Sequence, residues 1–326
     1  MALTEKKAAP LEFEQPLALL AQQIEALEKQ VADNPELDKD IASLHDQYNQ
    51  LKRSLYTNLR AIDHLAIARH QQRPYTRDYF SRWDEEWIEL HGDRTGCDDP
   101  AMVTGLVRIG DFKVVAIGTQ KGRVLRDKQL CNFGMPQPEG YRKAMRLFKH
   151  AEKFGLPIVT LIDTPGAYPG MAAEEHNQAQ AVAANLMELA GVTVPVIAVV
   201  TGEGGSGGAL AIGVANRILM LEHSVYSVIS PEGCASILWR SNDKVAEACQ
   251  AMKMTAREIL ELGVIDQVVE EPLGGAHHDY DFVASKLKQA LIGQLENLSK
   301  MGPAEIRADR QAKFRKIGAV IETAAV

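Results

Sequence analysis

The sequence predicts an α/β fold preceded by an N-terminal helical hairpin. Three observations support this prediction: apolar residues with helical spacing before residue 75, short β-branched segments alternating with helical ones after it, and a 46% hydrophobic composition typical of globular chains. Strands that alternate with helices usually pair in a largely parallel sheet. We divide the 326 residues into a helical region (1–75), an α/β domain (76–275) and a helical tail (276–326).

The first 75 residues carry two apolar stripes with steps of three and four residues. The first consists of Leu17, Leu20, Ile24, Leu27 and Val31, and the second of Ile41, Leu44, Tyr48, Leu51 and Leu55, continuing to Leu59 and Ile62. Pro35 lies between them, so we expect two antiparallel helices joined by a short turn near Asn34. Their apolar face could pack on its own domain or on another chain, and the pattern leaves both open.

After Pro74, short β-branched segments are separated by glycine and proline. Strands are expected at residues 102–109, 113–118, 157–162, 194–200, 217–221 and 225–229. Helices are expected at residues 140–154, 171–189, 208–215, 231–239, 280–298 and 303–317. Ser230 is the expected N-cap of the helix at 231–239, with Pro231 at its first position.

Composition and charge exclude several classes of function. A net charge of -7 and a pI near 5.8 argue against a nucleic-acid or anionic-membrane surface as the main partner. The N-terminus has no signal-peptide pattern and no apolar run is long enough to span a bilayer, so we expect a cytoplasmic protein. The four cysteines form no C-x-x-C pair and the histidines show no ligand spacing, so no metal is expected on this chain.

A glycine-rich loop at residues 202–208 (GEGGSGG) connects the predicted strand 194–200 to an apolar helix. Such a loop leaves backbone amides uncovered by side chains and places them at the positive end of a helix dipole. We therefore expect an anion site here. The anion is either a bound phosphate or an oxyanion that develops during a reaction, and the loop alone is compatible with both.

Two other motifs overlap the same loop. Gly202, Gly204 and Gly207 match a dinucleotide fingerprint, with Glu222 as the ribose ligand, although this acid falls early for that motif. The second motif is a serine-hydrolase elbow, Gly204-x-Ser206-x-Gly208, with Asp266 and His277 following in hydrolase order. Two residues, Gly202 and Glu203, stand between the predicted strand end and this elbow, which weakens the hydrolase interpretation.

Two further segments are candidates for substrate binding. The loop at 163–170 (DTPGAYPG) also follows a strand, so its residues Gly166, Ala167 and Tyr168 are expected near the glycine-rich loop at the carboxyl edge of the sheet. The segment 121–128 (KGRVLRDK) is basic within an acidic protein. Its Lys121 and Arg123 are either ligands for the phosphates of a nucleotide-like substrate or part of a solvated loop.

Several long segments together resemble the carboxyltransferase alpha subunits of bacterial acetyl-CoA carboxylase. These are residues 13–16 (FEQP), 132–136 (NFGMP), 138–143 (PEGYRK), 162–170 (IDTPGAYPG), 202–211 (GEGGSGGALA), 228–239 (VISPEGCASILW) and 271–277 (EPLGGAH). The resemblance implies a crotonase-like fold of stacked β-β-α units. It also implies a heterotetramer of two alpha and two beta chains, with a four-cysteine zinc site on the beta subunit only.

The reaction implied by the resemblance is transfer of a carboxyl group from carboxybiotin to acetyl-CoA, giving malonyl-CoA for fatty acid synthesis. Carboxybiotin is presented on the biotin carboxyl carrier protein and is made by biotin carboxylase. Each subunit of the family supplies one oxyanion hole, and biotin itself is thought to act as the base. The resemblance assigns the hole of this chain to the amides of Gly207 and Gly208, facing the biotin ureido group, with Gly204 and Gly205 as second choices. Ser206 is then a spacer, and the serine hydrolase remains the alternative.

Overall fold

The computed structural model describes residues 9–30 and 37–318. Its α-helices are α1 Gln15–Glu28, α2 Leu37–Thr57, α3 Ala61–Ala68, α4 Thr76–Trp83, α5 Leu125–Leu130, α6 Pro138–Phe154, α7 Met171–Glu175, α8 Gln178–Gly191, α9 Ser206–Leu210, α10 Pro231–Trp239, α11 Val245–Met252, α12 Ala256–Glu261, α13 Tyr280–Leu298 and α14 Pro303–Lys316. Its strands are β1 Ile88–Glu89, β2 Met102–Ile109, β3 Phe112–Thr119, β4 Ile158–Thr164, β5 Val196–Gly205, β6 Arg217–Leu221, β7 Val225–Ser227 and β8 Gln267–Val269. Within the described residues, no helix is long and apolar enough to cross a membrane.

One sheet organises the described part of the chain, in the order β1-β2-β3-β4-β5-β6-β8, with β7 pairing beside the end of β5. The pairs β1-β2 and β2-β3 are antiparallel, and every pair from β3 onward is parallel. The β2-β3 hairpin turns through Gly110, whose φ of 60° suits the first position of a two-residue turn. The parallel part places the carboxyl ends of β3, β4 and β5 at the same edge.

The central strands are buried on both faces, as expected for parallel strands covered by helices. Every residue of β4 and β5 is buried. One face packs on α6 and α8, through residues such as Leu147 and Leu189, and the other packs on α4 and α13, through Phe80 and Leu287. Burial of each such side chain is worth about 1.5–3 kcal/mol, so the two apolar layers hold the carboxyl edge of the sheet in place.

The predicted strands are all present, and β2 and β6 have the predicted bounds. Strand β5 was predicted to end at residue 200, but it continues to Gly205. The predicted helix 171–189 is interrupted at Asn177, whose φ of 64° breaks it into α7 and α8. The predicted helix 208–215 is the shorter α9, and β1, β8, α4, α5, α11 and α12 were not predicted. Ser230 caps α10 as expected, accepting a hydrogen bond from Gly233 N at 3.1 Å.

The N-terminal hairpin is antiparallel. Tyr56 Oη lies 2.5 Å from Glu14 Oε1, whereas at the other end His45 Nε2 lies 3.3 Å from Glu28 Oε1. The expected turn at Asn34–Pro35, and Val31 of the first stripe, fall outside the described residues. The base of the hairpin packs on its own domain, because Tyr56 Oη also lies 3.2 Å from the Gly274 carbonyl oxygen.

The second helix of the hairpin is shorter than its apolar pattern suggests. It ends at Thr57, and a separate helix, α3, carries Ile62. The Asp63 carboxylate accepts a hydrogen bond from Arg60 N at 2.9 Å and so caps the start of α3. Helix α3 packs on the core through Leu65 and Ala68. The division of the chain at residues 75 and 275 stays a prediction.

Candidate functional site

The two glycine-bearing loops meet at the carboxyl edge of the sheet. Strands β4 and β5 are parallel neighbours, and Thr164 pairs with Gly204 near the end of both. A Cβ added at Gly205 would lie 2.2 Å from the Pro165 carbonyl oxygen, and one added at Gly208 would lie 2.4 Å from Ala167 N. Both distances are far below van der Waals contact, so the loops approach this closely only because these positions are glycine.

A cleft of about 860 Å³, which we call the glycine cleft, lies over these loops. Its lining combines residues 165–170, the start of α9 at Ser206, Gly207 and Gly208, the first part of α8, and residues 228–230. Gly166, Ala167 and Tyr168 therefore share one cleft with Gly207 and Gly208, as the sequence predicted. Gly204 and Gly205 do not line this cleft but an adjoining small pocket, together with Arg69 and Glu203.

The amides of Gly207 and Gly208 belong to the first turn of α9. Helix α9 begins at Ser206, so these two N–H groups precede the first intrahelical hydrogen bond and have no acceptor within the helix. The carbonyl groups of both residues do have partners, since Gly207 O accepts from Ala211 N at 2.9 Å and Gly208 O accepts from Tyr141 Oη at 3.3 Å. The backbone is thus anchored through its acceptors, while α9 itself provides no acceptor for the N–H groups of these two cleft-lining residues.

The loop at 163–170 is held in place by hydrogen bonds of its backbone. Thr164 Oγ1 donates to Gly166 O at 2.7 Å and accepts from Gly166 N at 3.0 Å, and Tyr168 N donates to Pro136 O at 3.0 Å. Gly166 has a φ of 150°, which favours glycine. The Tyr168 ring packs against Gly170, where an added Cβ would lie 2.4 Å from Cε1. Tyr168 therefore serves as a turn-packing residue whose half-buried side chain also borders the cleft.

The two basic candidates lie elsewhere. Lys121 Nζ is 2.7 Å from Asp163 Oδ1 and 2.8 Å from Glu203 Oε1. Burial opposes its charge, but these two carboxylates outweigh burial and raise the pKa of Lys121 above its usual range. Arg123 pairs with Asp78 and lies 4.8 Å over the Tyr75 ring. Both cations have partners within the chain, and neither lines the glycine cleft.

Comparison with known proteins assigns the chain to a family. The family model described as acetyl co-enzyme A carboxylase carboxyltransferase-like matches residues 10–318. An acetyl-coenzyme A carboxylase carboxyl transferase subunit alpha from Synechococcus elongatus is 49% identical over 319 residues, covering 98% of both chains. The subunit of the same name from Halorhodospira halophila is 50% identical over 309 residues, covering 94% of this chain and 97% of that one. The chain belongs to the carboxyltransferase alpha family.

Solved structures show the fold of this carboxyltransferase alpha chain. Transcarboxylase 12S matches with a TM-score of 0.58 at 19% identity, covering 70% of this chain and 42% of that one. A Pseudomonas malonate decarboxylase heterodimer matches with a TM-score of 0.58 at 16% identity, covering 75% of this chain and 96% of that one. The predicted crotonase-like fold with N-terminal helices is confirmed.

The serine-hydrolase alternative is not favoured for a carboxyltransferase alpha chain. Gly202 and Glu203 do not separate the strand from Ser206, as the sequence had suggested, because β5 runs to Gly205 and Ser206, with a φ of 51°, follows it directly. The hydrolase alternative fails because His277 is not a suitable catalytic base. His277 stacks on His70 at 3.7 Å, and burial together with His70 and His278 lowers the pKa of His277 to about 2. In the described part of the chain, Ser206 Oγ has no histidine or carboxylate as a hydrogen-bond partner.

The acids that the alternative motifs require also lie apart from the glycine loop. Asp266 Oδ2 accepts hydrogen bonds from Ile218 N at 2.7 Å and from Lys313 Nζ at 2.6 Å. Glu222, the ribose ligand of the dinucleotide hypothesis, lines a different cleft and pairs with Arg257 at 3.2 Å. Neither the triad nor the dinucleotide site is assembled in this carboxyltransferase alpha chain.

Glu203 and Arg69 were not predicted from the sequence as site residues, and Lys121 was predicted without its two carboxylate partners. Glu203 lies between glycines on β5 and is bound by Lys121 and by Arg69, whose Nε is 2.7 Å from Glu203 Oε2. Burial acts to raise the pKa of Glu203, but Lys121 and Arg69 outweigh it and lower the pKa. The sequence contained one signal for this cluster. Glu203 follows an apolar strand, and a buried charge requires a partner of opposite charge.

Proposed function

We propose that this chain is the alpha half of a biotin-dependent carboxyltransferase, which transfers the carboxyl group of carboxybiotin to acetyl-CoA and forms malonyl-CoA. The beta subunit completes the site, and the carboxybiotin is presented by the biotin carboxyl carrier protein after its formation by biotin carboxylase. A zinc ion belongs to the beta subunit. The observation that supports this best is the cleft in which the amides of Gly207 and Gly208 are available as donors, while Ser206 lacks a base.

The chemistry needs donors at positions where negative charge develops. Release of the carboxyl group places negative charge on the ureido oxygen of biotin, and deprotonation of acetyl-CoA places it on the thioester oxygen. Preorganised amides stabilise such oxygens, and a single donor is worth about 3–4 kcal/mol in enzymes where one has been removed. We assign the amides of Gly207 and Gly208 to the ureido oxygen, and the second oxyanion to donors of the beta subunit.

The loop at 165–170 forms the other wall of the substrate cleft. Its Gly166, Ala167 and Tyr168 line the cleft beside the start of α9, and Ala167 and Gly166 are packed closely against Gly208. Their hydrogen bonds to Thr164 and Pro136 hold this wall in one conformation before substrate arrives. A preformed wall lowers the entropic cost of orienting two substrates, and this orientation is a large part of catalysis in group transfer.

Reconstitution tests this proposal. We expect malonyl-CoA to form from carboxybiotin and acetyl-CoA when this chain is mixed with its beta subunit, and neither chain to support transfer when assayed separately. The physical reason is that each chain supplies donors for only one of the two oxyanions. A heat-denatured preparation of this chain added to the beta subunit is the control. Full transfer by the beta subunit alone would contradict the proposal and would leave this chain as a non-catalytic scaffold.

A further inference from the structure

Arg69 connects β5 to α10, two elements that adjoin the glycine cleft without lining it through these residues. It follows α3 directly, and its Nε lies 2.7 Å from Glu203 Oε2 while its Nη1 lies 2.6 Å from Glu232 Oε1. Glu203 is on β5, three residues before Ser206, whereas Glu232 is in the first turn of α10, directly after the cleft-lining residues 228–230. The Arg69 guanidinium therefore joins β5, which leads to the amides of Gly207 and Gly208, to α10, which follows the cleft-lining residues 228–230.

The Glu203 carboxylate is held through both of its oxygens. Lys121 Nζ lies 2.8 Å from Oε1 and also 2.7 Å from Asp163 at the end of β4, and Asp163 Oδ1 accepts a hydrogen bond from Glu203 N at 2.9 Å. Glu203 is only 8% exposed, so solvent screens these charge-assisted contacts weakly. Glu203 is thus tied to the segment after β3, to the end of β4 and to the N-terminal region at once.

The glycine segment has few side chains of its own with which to hold its position. In the segment from Gly204 to Gly208, Ser206 is the one residue with a side chain, and Ser206 is exposed. Glu203 is the nearest preceding side chain with ionic partners, so it anchors the start of the segment, in addition to the sheet pairing of β5 and the carbonyl contacts of Gly207 and Gly208. Displacing reacting groups by about 1 Å can cost as much as about 100-fold in rate, so an anchor at this position has a direct catalytic effect.

We infer that Arg69 is a positioning residue for carboxyl transfer, acting through Glu203 and Glu232 to orient the amides of Gly207 and Gly208 against the facing wall of the cleft. The inference rests on the proposed function. It makes the helical region before residue 75 part of the support of the active site. Arg69 does not touch the reacting atoms.

The test uses the full chain reconstituted with its beta subunit. Arg69→Met should lower kcat on the order of tenfold while the KM for acetyl-CoA changes little, because donors that act in the transition state contribute little to binding of the ground state. Arg69→Lys should restore kcat only in part, since an ammonium lacks the planar fork that bridges two carboxylates. Thermal unfolding and co-purification with the beta subunit show whether each variant is folded and assembled.

Arg217→Met is the matched control. Arg217 Nη1 lies 2.9 Å from Asp309 Oδ2, its side chain is 26% exposed against 35% for Arg69, and it stands at the amino end of β6, away from the cleft. A kcat loss in Arg69→Met no greater than that in Arg217→Met would overturn the inference. If Arg69→Met does not assemble, Glu232→Met removes the acceptor at one end of the bridge, and an unchanged kcat in that variant would overturn it too. Absence of transfer by the wild-type pair would instead contradict the proposed function.

Discussion

Gly208→Ala is expected to lower the kcat of the reconstituted enzyme on the order of 100-fold. An alanine Cβ at this position would lie 2.4 Å from Ala167 N and 2.5 Å from Gly166 C. These are backbone atoms that cannot rotate away, so either α9 or the loop at 165–170 must move. Because the amides of Gly207 and Gly208 are proposed as the transition-state donors, that movement separates them from the developing negative charge.

The measurement is kcat for malonyl-CoA formation, with assembly checked by size-exclusion chromatography. Gly293→Ala is the control, because Gly293 lies in α13 and an added Cβ there meets nothing within 4 Å. It should leave kcat unchanged. Near-normal turnover of an assembled Gly208→Ala enzyme would contradict the assignment of the glycine loop as the catalytic donor.

Arg73→Met is expected to lower the free energy of unfolding by about 3–5 kcal/mol, the usual cost of leaving one charge of a buried ion pair without its partner. The Arg73 and Glu271 side chains are both 0% exposed, with 3.0 Å between Arg73 Nη1 and Glu271 Oε2. Arg73 Nε also donates to the Thr201 carbonyl oxygen at 2.6 Å, which ties β5 to the N-terminal region. Burial acts to raise the pKa of Glu271, but Arg73 outweighs it and lowers the pKa to about 2.

Denaturant unfolding monitored by circular dichroism measures this loss. Arg77→Met breaks an ion pair with Glu89 whose side chains are 44% and 20% exposed, and it should cost no more than about 1 kcal/mol. The double variant Arg73→Met/Glu271→Gln should recover part of the stability, because no unpaired charge is left buried. Equal losses in Arg73→Met and Arg77→Met would show that the buried pair does not hold the N-terminal region to the sheet.

Features encoded by local residue chemistry were predictable from the sequence. Strand β2 was predicted with its correct bounds because it ends at a glycine turn, and α10 because Ser230 and Pro231 mark its start. The two glycine loops were recognisable for the same reason, since glycine and proline restrict or permit backbone conformations regardless of tertiary context. Their meeting at one cleft followed from the parallel pairing of β4 and β5.

Features that depend on distant partners were not predictable. Arg69 and Glu203 are 134 positions apart, and Lys121 and Glu203 are 82 apart, so no local pattern marks them as a cluster. Lys121 therefore looked like a surface cation, although Asp163 and Glu203 enclose it. The extension of β5 to Gly205 was missed for a similar reason, because its last residues are glycines that pair in the sheet only through the neighbouring β4 and β7.

We propose that this chain acts through backbone amides and not through a serine nucleophile. The most direct measurement is malonyl-CoA formation by Ser206→Ala reconstituted with the beta subunit, together with labelling of the wild-type chain by a serine-directed fluorophosphonate. Alanine keeps the Cβ, so the turn at Ser206, with its φ of 51°, is little altered. We expect Ser206→Ala to retain most of its transfer activity and the wild-type chain to remain unlabelled. Stoichiometric labelling at Ser206 together with loss of turnover in Ser206→Ala would contradict the role of the amides.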